Sequence, residues 1–499
     1  MSRGRRLLGG IAAAALIVQP ALAAAPVPPA PTPPGTLSPA GDAAAACTAL
    51  KGADYSNNRE APTLIVNAVV KSATTEMPDL CLVNGRIAPT IGFRMWLPLS
   101  SWNGKYAQTG CGGRCGDLLD DGCQIVVARG YACLAADMGH KGTFYDDLWA
   151  IDNVQGDIDF GFRSTHVANL AGRIVTEAFY GAKPRLFYYF GASTGGRQGL
   201  IEAQRFPADF DGIVAGEPAM ERPGEDHHNA IGRLRDSVSA LNPGGKPLLT
   251  TDQVMMIHAA AVAKCDLDDR AADGFISDPR RCAFRPVQLR CTGATTATCL
   301  DDAQIAALDR VYANGAQPGS EKGWIGAYIG PGGTAGRYLF RLKTDYKYPY
   351  AWLFQDAANP DLTAFKARGG KLILYQGWAD EATYPVNPPA YYETVERTMG
   401  GRAATQSFFR LFMIPGENHI PQVGGGAETV DYLSYLEAWV ERGQAPDVLL
   451  AEKYRELARF AGPVTYKSYL RADNVAFSRP LYPYPVQAHY SGRGDVKDA

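Results

Sequence analysis

An apolar run, RLFYYF (185–190), passes without a spacer into GASTGG (191–196) and then into RQGLIEAQRF (197–206). A strand, a turn and a helix compressed into so few residues restrict the fold more than any other feature of this chain. Serine with glycine at both second-neighbour positions suits a sharp strand-to-helix turn, where only small neighbours fit and the hydroxyl is pushed outward. Five more runs read as strands: GFRMWLPL (92–99), KYAQTG (105–110), YACLAADM (131–138), KLILYQGWAD (371–380) and FRLFMIPG (409–416). HVANLAGRIVTEAFYG (166–181) and RQGLIEAQRF read as helices between them. Such alternation predicts an α/β fold with a mainly parallel sheet covered by helices. Between residues 221 and 361 the rhythm breaks into cysteines, short helices and glycine-rich loops, which reads as an inserted lid domain.

A nucleophilic serine needs a base, and a third group to hold the base's tautomer. Among seven histidines, His419 stands in MIPGENHIPQVGGG, directly after a strand-like run and among loop formers. His166 and His258 lie in helix-like segments, where packing or capping accounts for them. Asp380 falls just past the strand end of KLILYQGWAD, as an orienting acid or as a helix cap. The chain order Ser193, Asp380, His419 is the one used by hydrolases with this strand–serine–helix turn. Backbone donors for an oxyanion are expected from Thr194 and from QTGCGGRCG (108–116), where Gly110, Cys111 and Gly112 are candidates; an ordinary tight turn is the alternative.

The first 23 residues have a basic start, a short apolar stretch and the small-residue site ALA, as in a secretory signal. The apolar stretch is short for a membrane span and no later segment reaches that length, so no span is expected in the mature form. Removing three arginines and no acids takes the net charge from -2 to -5, which gives no support to nucleic-acid binding. A proline- and alanine-rich linker follows over 24–44, with folded structure expected near Cys47. Ten cysteines in an exported chain, secreted or periplasmic, read as disulfides. CGGRC lacks the second half that a zinc site needs.

The chain resembles the tannase/feruloyl esterase family of α/β-hydrolases from about residue 60 to its end. The likeness rests on GRIAPTIGFRMWLPLSSWNGKY, GYACLAADMGH, FGASTGGRQGLIEAQRFPADFDGIVAGEPA, CDLDDRAADGFISDPRRCAF, YQGWAD, PGENH and SRPLYPYP. It implies an α/β-hydrolase core in two parts, 45–220 and 362–499, around a lid over 221–361. Ser193 would be the nucleophile, His419 the base and then acid, and Asp380 the partner of the histidine. It also implies a structural calcium ion in the lid, held by Asp266, Asp269, Asp273 and the carbonyls of Ala271 and Phe275. Chemically, a hard cation suits such oxygen donors; a solvated acidic turn is the alternative. Arg270 stands where the family usually has glycine. Disulfides Cys265–Cys282 and Cys291–Cys299 would close the lid loops and Cys47–Cys81 would be a third, leaving Cys111, Cys115, Cys123 and Cys133 with three possible pairings. The family's cysteines beside the serine and the histidine are replaced by Ala192 and Ile420, and another by Tyr482.

Members cleave esters of aromatic acids: galloyl, feruloyl and terephthalate monoesters. The expected partner is therefore a small aromatic ester. Trp324, Tyr328, Tyr338 and Phe340 would wall its acyl group, with Arg337 or Arg341 meeting a carboxylate; the rings forming the lid's own core is the plainer alternative. Short aliphatic or polyester-derived esters are a second substrate class, and an exported binding protein without catalysis a third reading. The oligomeric state is left open.

Overall fold

The computed structural model describes residues 37–74, 77–118, 121–143, 148–220, 247–294, 296–313, 315–324, 354–419, 425–455 and 474–496. Among these, one sheet contains β1 (Asp54–Tyr55), β2 (Thr63–Lys71), β3 (Leu80–Ile87), β4 (Ile91–Pro98), β5 (Lys105–Thr109), β6 (Ala132–Ala136), β7 (Leu186–Ala192), β8 (Gly212–Gly216), β9 (Lys371–Gly377) and β10 (Phe409–Ile414). Their spatial order is β1-β2-β3-β4-β6-β5-β7-β8-β9-β10. Pairing is antiparallel from β1 to β4 and between β4 and β6. From β6 to β10 every pair is parallel.

Burial explains which strands show in the sequence and how. β5, β6 and β8 are buried at every position, as the centre of a parallel sheet covered on both faces must be. β4 alternates buried and half-buried, and β2 leaves Leu64 and Val66 exposed, so the antiparallel end has one wetter face. The helix Ser164–Tyr180 covers one face of the centre, where Val167, Ala171 and Val175 pack with Tyr106, Leu134 and Tyr189. On the other face Leu436 and Trp439 of the helix Tyr432–Arg442 pack with Tyr188, Val214 and Ile373. Close approach has a cause at Gly172, where a Cβ would stand 2.3 Å from the Tyr106 hydroxyl.

Ordered pairing begins earlier in the chain than expected. Leu37 bridges to Trp102, and Asp42 caps the helix Ala43–Ala49 that carries Cys47. Disulfides Cys47–Cys81, Cys265–Cys282 and Cys291–Cys299 are present as the resemblance implies. Of the three open pairings, the structure has Cys111–Cys115 with Cys123–Cys133. Between β8 and β9 the helices Thr251–Cys265 and Asp302–Ala313 bury Val254, Ile257, Ile305 and Leu308 in a core of their own. A two-stranded sheet, β11 (Leu449–Tyr454) with β12 (Val475–Leu481), brings Arg479 back toward that segment.

His166 and Glu202, on the two helices beside the Ser193 turn, both lie close to Asp209. His166 Nδ1 lies 2.6 Å from Asp209 Oδ2, and its ring stacks on Phe206. Glu202, in the helix Thr194–Arg205, is fully buried; burial and the adjacent Asp209 push its carboxyl well above the ordinary range, and Arg173 only partly opposes them. Glu202 is therefore neutral in the fold but ionises in the unfolded chain. Its contribution to stability is complete below the ordinary carboxylate range and is lost as pH rises toward the raised value. Thermal melting between pH 5 and pH 8 should show Tm falling as pH rises, with a shallower slope in Glu202→Gln. Parallel slopes for the two proteins would mean that Glu202 is ionised in the fold.

Candidate active site

β7 delivers Ser193 with φ 60° and ψ -120°, a backbone conformation that residues with side chains rarely adopt. Three hydrogen bonds hold it there. Ser193 N donates to Gly216 O at 2.9 Å, and Ser193 O accepts from Arg197 N at 3.1 Å and Ala219 N at 3.0 Å. The flanking glycines follow from crowding. A Cβ on Gly191 would lie 2.6 Å from Gly195 C and O, and one on Gly196 only 2.1 Å from Gly216 O. The helix Thr194–Arg205 starts at once, so its first amides face out beside the serine hydroxyl without intrahelical acceptors.

The loops after β9 and β10 supply the other two groups. They are packed against each other: a Cβ on Gly377 would meet Glu417 O at 2.4 Å. His419 Nε2 lies 3.0 Å from Ser193 Oγ, and His419 Nδ1 lies 2.9 Å from Asp380 Oδ2. With the proton on Nδ1, the serine hydroxyl donates to Nε2 and the imidazole donates to Asp380. Asp380 is buried and saturated. Its Oδ2 also accepts from Gln376 Nε2 at 2.8 Å and Thr383 Oγ1 at 2.5 Å, while Oδ1 accepts from Ala382 N at 2.6 Å and Thr383 N at 2.7 Å. Burial pulls its carboxyl up, but His419 and the Thr383 hydrogen bonds outweigh that and hold it below its ordinary value.

Several residues around the site escaped the sequence reading. Glu381 Oε2 accepts from Asn418 Nδ2 at 3.0 Å and from His419 N at 3.3 Å, which fixes the histidine's backbone. Gln376 and Thr383 clamp the acid, and Glu217 Oε2 stands 3.6 Å from His419 Nδ1. Adjacency to WAD and GENH was the available signal for Glu381 and Asn418. Glu217 gave none, because it follows a short strand far from both in sequence.

Among the oxyanion candidates, Gly110 is wedged against the Ser193 turn, with a Cβ there 2.6 Å from Gly195 Cα. Cys111 N donates to Gln198 Oε1 at 3.4 Å, and Thr194 Oγ1 donates to Gly113 O at 2.6 Å. The loop is thus tied to the turn on both sides of Gly112. In the lid, a Cβ on Gly323 would meet Glu381 Oε2 and Asn418 Nδ2 at 2.6 Å, so the short helix Glu321–Trp324 abuts the site. Tyr328, Arg337, Tyr338, Phe340 and Arg341 lie outside the described residues, as does Ile420.

The acidic lid loop is folded upon itself. Asp266 Oδ1 accepts from the amides of Gly274 at 2.9 Å and Phe275 at 3.2 Å. Asp269 accepts from Ala271 N at 2.8 Å and from the Ser277 hydroxyl. Asp273 Oδ2 meets Arg479 at 3.0 Å. Burial raises the Asp273 carboxyl, Arg479 lowers it and Asp269 raises it further, so two acids crowd one guanidinium. Three carboxylates and loop carbonyls within ten residues are chemically the donor set that a calcium ion takes. Arg270 accepts the left-handed conformation, φ 70°, that glycine would take there more readily.

A family model for tannase and feruloyl esterase matches residues 72–338 and 341–499. The chain belongs to that family. It is 31% identical to an uncharacterized esterase of Xanthomonas campestris, over 93% of this chain and 92% of the relative. It is 29% identical to mono(2-hydroxyethyl) terephthalate hydrolase of Piscinibacter sakaiensis, over 86% and 85%. The crystal structure of feruloyl esterase B from Aspergillus oryzae superposes with a TM-score of 0.73 at 24% identity, covering 91% of this chain and 98% of that one, which identifies the α/β-hydrolase fold. The protein is a carboxylic ester hydrolase of the tannase and feruloyl esterase type.

Gly191→Ala tests the crowding argument. The methyl group meets backbone, which cannot swing aside, so the turn must open and Ser193 must leave its place beside His419. Overpacking of this kind costs about 1–3 kcal/mol. A lowered Tm with ester hydrolysis reduced by more than about tenfold is expected, since an ångström of misplacement costs about 10²-fold. Wild-type activity in this variant would show that the turn has slack.

Proposed function

We propose that the protein is an exported serine esterase for small esters of aromatic acids, acting through an acyl-enzyme. The observation that carries this is the continuous line from Ser193 Oγ to His419 Nε2 at 3.0 Å and from Nδ1 to Asp380 Oδ2 at 2.9 Å, built on a strained turn. Ser193 Oγ attacks the ester carbonyl while His419 takes its proton. Collapse of the tetrahedral intermediate expels the alcohol, to which His419 returns that proton. Water then repeats the sequence on the acyl group, releasing the acid and restoring Ser193. The oxyanion is held by the amides of Thr194 and Gly112; Cys111 is less suited, its N–H being turned toward Gln198.

The substrate class is supported by relatives named for feruloyl and terephthalate esters. Trp324, Tyr328, Tyr338 and Phe340 remain the proposed aromatic wall, with Arg337 for a carboxylate. Five disulfides support export, and no helix among the described residues is long and apolar enough to cross a membrane. A calcium ion on Asp266, Asp269, Asp273 and the carbonyls of Ala271 and Phe275 would supply charge neutralisation to the lid loop and take no part in the reaction.

Hydrolysis of methyl gallate, methyl ferulate, mono(2-hydroxyethyl) terephthalate and a butyrate ester should be measured for the wild type and Ser193→Ala. At least one aromatic ester should be cleaved, with loss of about 10⁴-fold or more in the variant. Turnover of butyrate alone would remove the aromatic reading and keep the esterase. Calcium is tested separately: a chelator should lower Tm by several degrees, added calcium should restore it, and Asp273→Asn should not respond. An unchanged Tm in the wild type would remove the ion.

A further inference from the structure

Asp380 is not alone at His419. Glu217 Oε2 stands 3.6 Å from the same Nδ1, the residue is only 2% exposed, and its Oε1 has no hydrogen-bond partner among the described residues. Packing does not call for an acid here. A buried carboxyl oxygen left unpaired destabilises the fold, and an apolar side chain of similar size would not. The backbone is strained as well: Glu217 holds φ 42°, fixed by its N–H donating to Tyr375 O at 2.8 Å. Thr383 Oγ1 lies 2.5 Å from Asp380 Oδ2 and 3.4 Å from the Glu217 backbone carbonyl, so the loop that carries Asp380 packs against the Glu217 backbone.

We propose that Glu217 is a second positioning carboxyl for His419, sharing Nδ1 with Asp380 and able to take over the histidine's orientation when Asp380 carries no charge. The 3.6 Å separation is within about 1 Å of a hydrogen bond, a distance that a side-chain adjustment covers. The groups facing Glu217 settle which acid serves first. Asp380 and Glu381 come from the loop after β9, Glu417 from the loop after β10, and Glu428 from beyond it, paired with Lys453 at 2.8 Å; Tyr375 and Tyr432 lie near as neutral phenols. Burial and these four acids hold the Glu217 carboxyl well above its ordinary range. It is a neutral acid while Asp380 is ionised. Removing the Asp380 charge removes one of the repulsions, and Glu217 can then lose its proton and accept the Nδ1 proton of His419 as Asp380 did.

This rests on the serine mechanism proposed above, and the experiment keeps the two apart. The pH dependence of kcat/KM for the best ester should be measured from pH 5 to pH 10 in wild type, Ser193→Ala, Asp380→Asn, Glu217→Gln and Asp380→Asn/Glu217→Gln. Where a single carboxylate serves the histidine, its amide variant loses about 10⁴-fold. Here Asp380→Asn should lose only about 10²-fold at its best pH, with activity rising toward alkaline pH as Glu217 ionises. The double variant should lose at least tenfold more and be flat over that alkaline range. A purely structural Glu217 would lower all rates without altering the shape of the profile. Superimposable profiles for Asp380→Asn and the double variant, with Ser193→Ala inactive, would overturn the role of Glu217 alone. Wild-type activity in Ser193→Ala would overturn both. Should the double variant fail to fold, Asp380→Asn alone decides it: a loss of about 10²-fold with activity rising toward alkaline pH supports the proposal, and a loss of about 10⁴-fold with no alkaline rise sinks it.

Discussion

The backbone of Ser193 is the constraint on which the rest depends. Its positive φ is tolerable only because Gly216, Arg197 and Ala219 each bind its peptide groups and because Gly191, Gly195 and Gly196 leave no Cβ in the way. The strain has two consequences. The hydroxyl stands clear of β7, where His419 can reach it from a loop beyond β10, and the helix begins at Thr194 with its first amides beside that hydroxyl. A relaxed turn would lose both together, since the hydroxyl and the first helical amide occupy consecutive residues.

Much of this was legible in the sequence, for identifiable reasons. β6, β9 and β10 are buried along nearly their whole length and show as apolar runs beside glycine, β7 shows by its aromatic residues although only Tyr188 and Tyr189 are buried in it, and β5 shows as the short run KYAQT between Gly104 and Gly110. β8 did not, being five residues framed by glycines and indistinguishable from a loop. β2 and β3 were passed over because their alternation is interrupted by Asn67, Asn84 and Gly85, at or near a register shift in β2. Ser193, Asp380 and His419 could be found because each sits just past a strand end, where the chain turns toward one edge of the sheet. Glu217 sits at such an end too, but its strand was missed and its role depends on a contact across the fold. No local pattern records that.

The acids around His419 show how a cluster of carboxyls can act as one charge. Glu217, Glu381 and Glu417 lie close to Asp380, with Glu428 beside Glu217 and Glu417, and burial with mutual repulsion raises the carboxyls of the first three. Asp380 goes the other way because the donors from Gln376, Thr383, Ala382 and His419 converge on it. Hydrogen bonds to the ionised form favour that form, and desolvation without them favours the neutral one. The difference in environment, rather than in residue type, selects which carboxyl carries the negative charge beside His419.

The lid loop and the histidine loop are mechanically coupled through one ring. Phe275 Cδ1 would stand 2.4 Å from a Cβ on Gly416, and Phe275 Cε1 equally close to one on Gly425, so the ring is seated against glycines on both sides of His419 in the chain. The same Phe275 ends the acidic loop whose Asp266 caps its amide and whose Asp273 pairs with Arg479 of β12. Where Ala192 removes the option of a covalent tie beside Ser193, the histidine loop is held by this packing and by the Glu381 side chain at its backbone. Order in the acidic loop therefore bears directly on where His419 sits, because the ring that braces the histidine can be no better fixed than the loop that carries it.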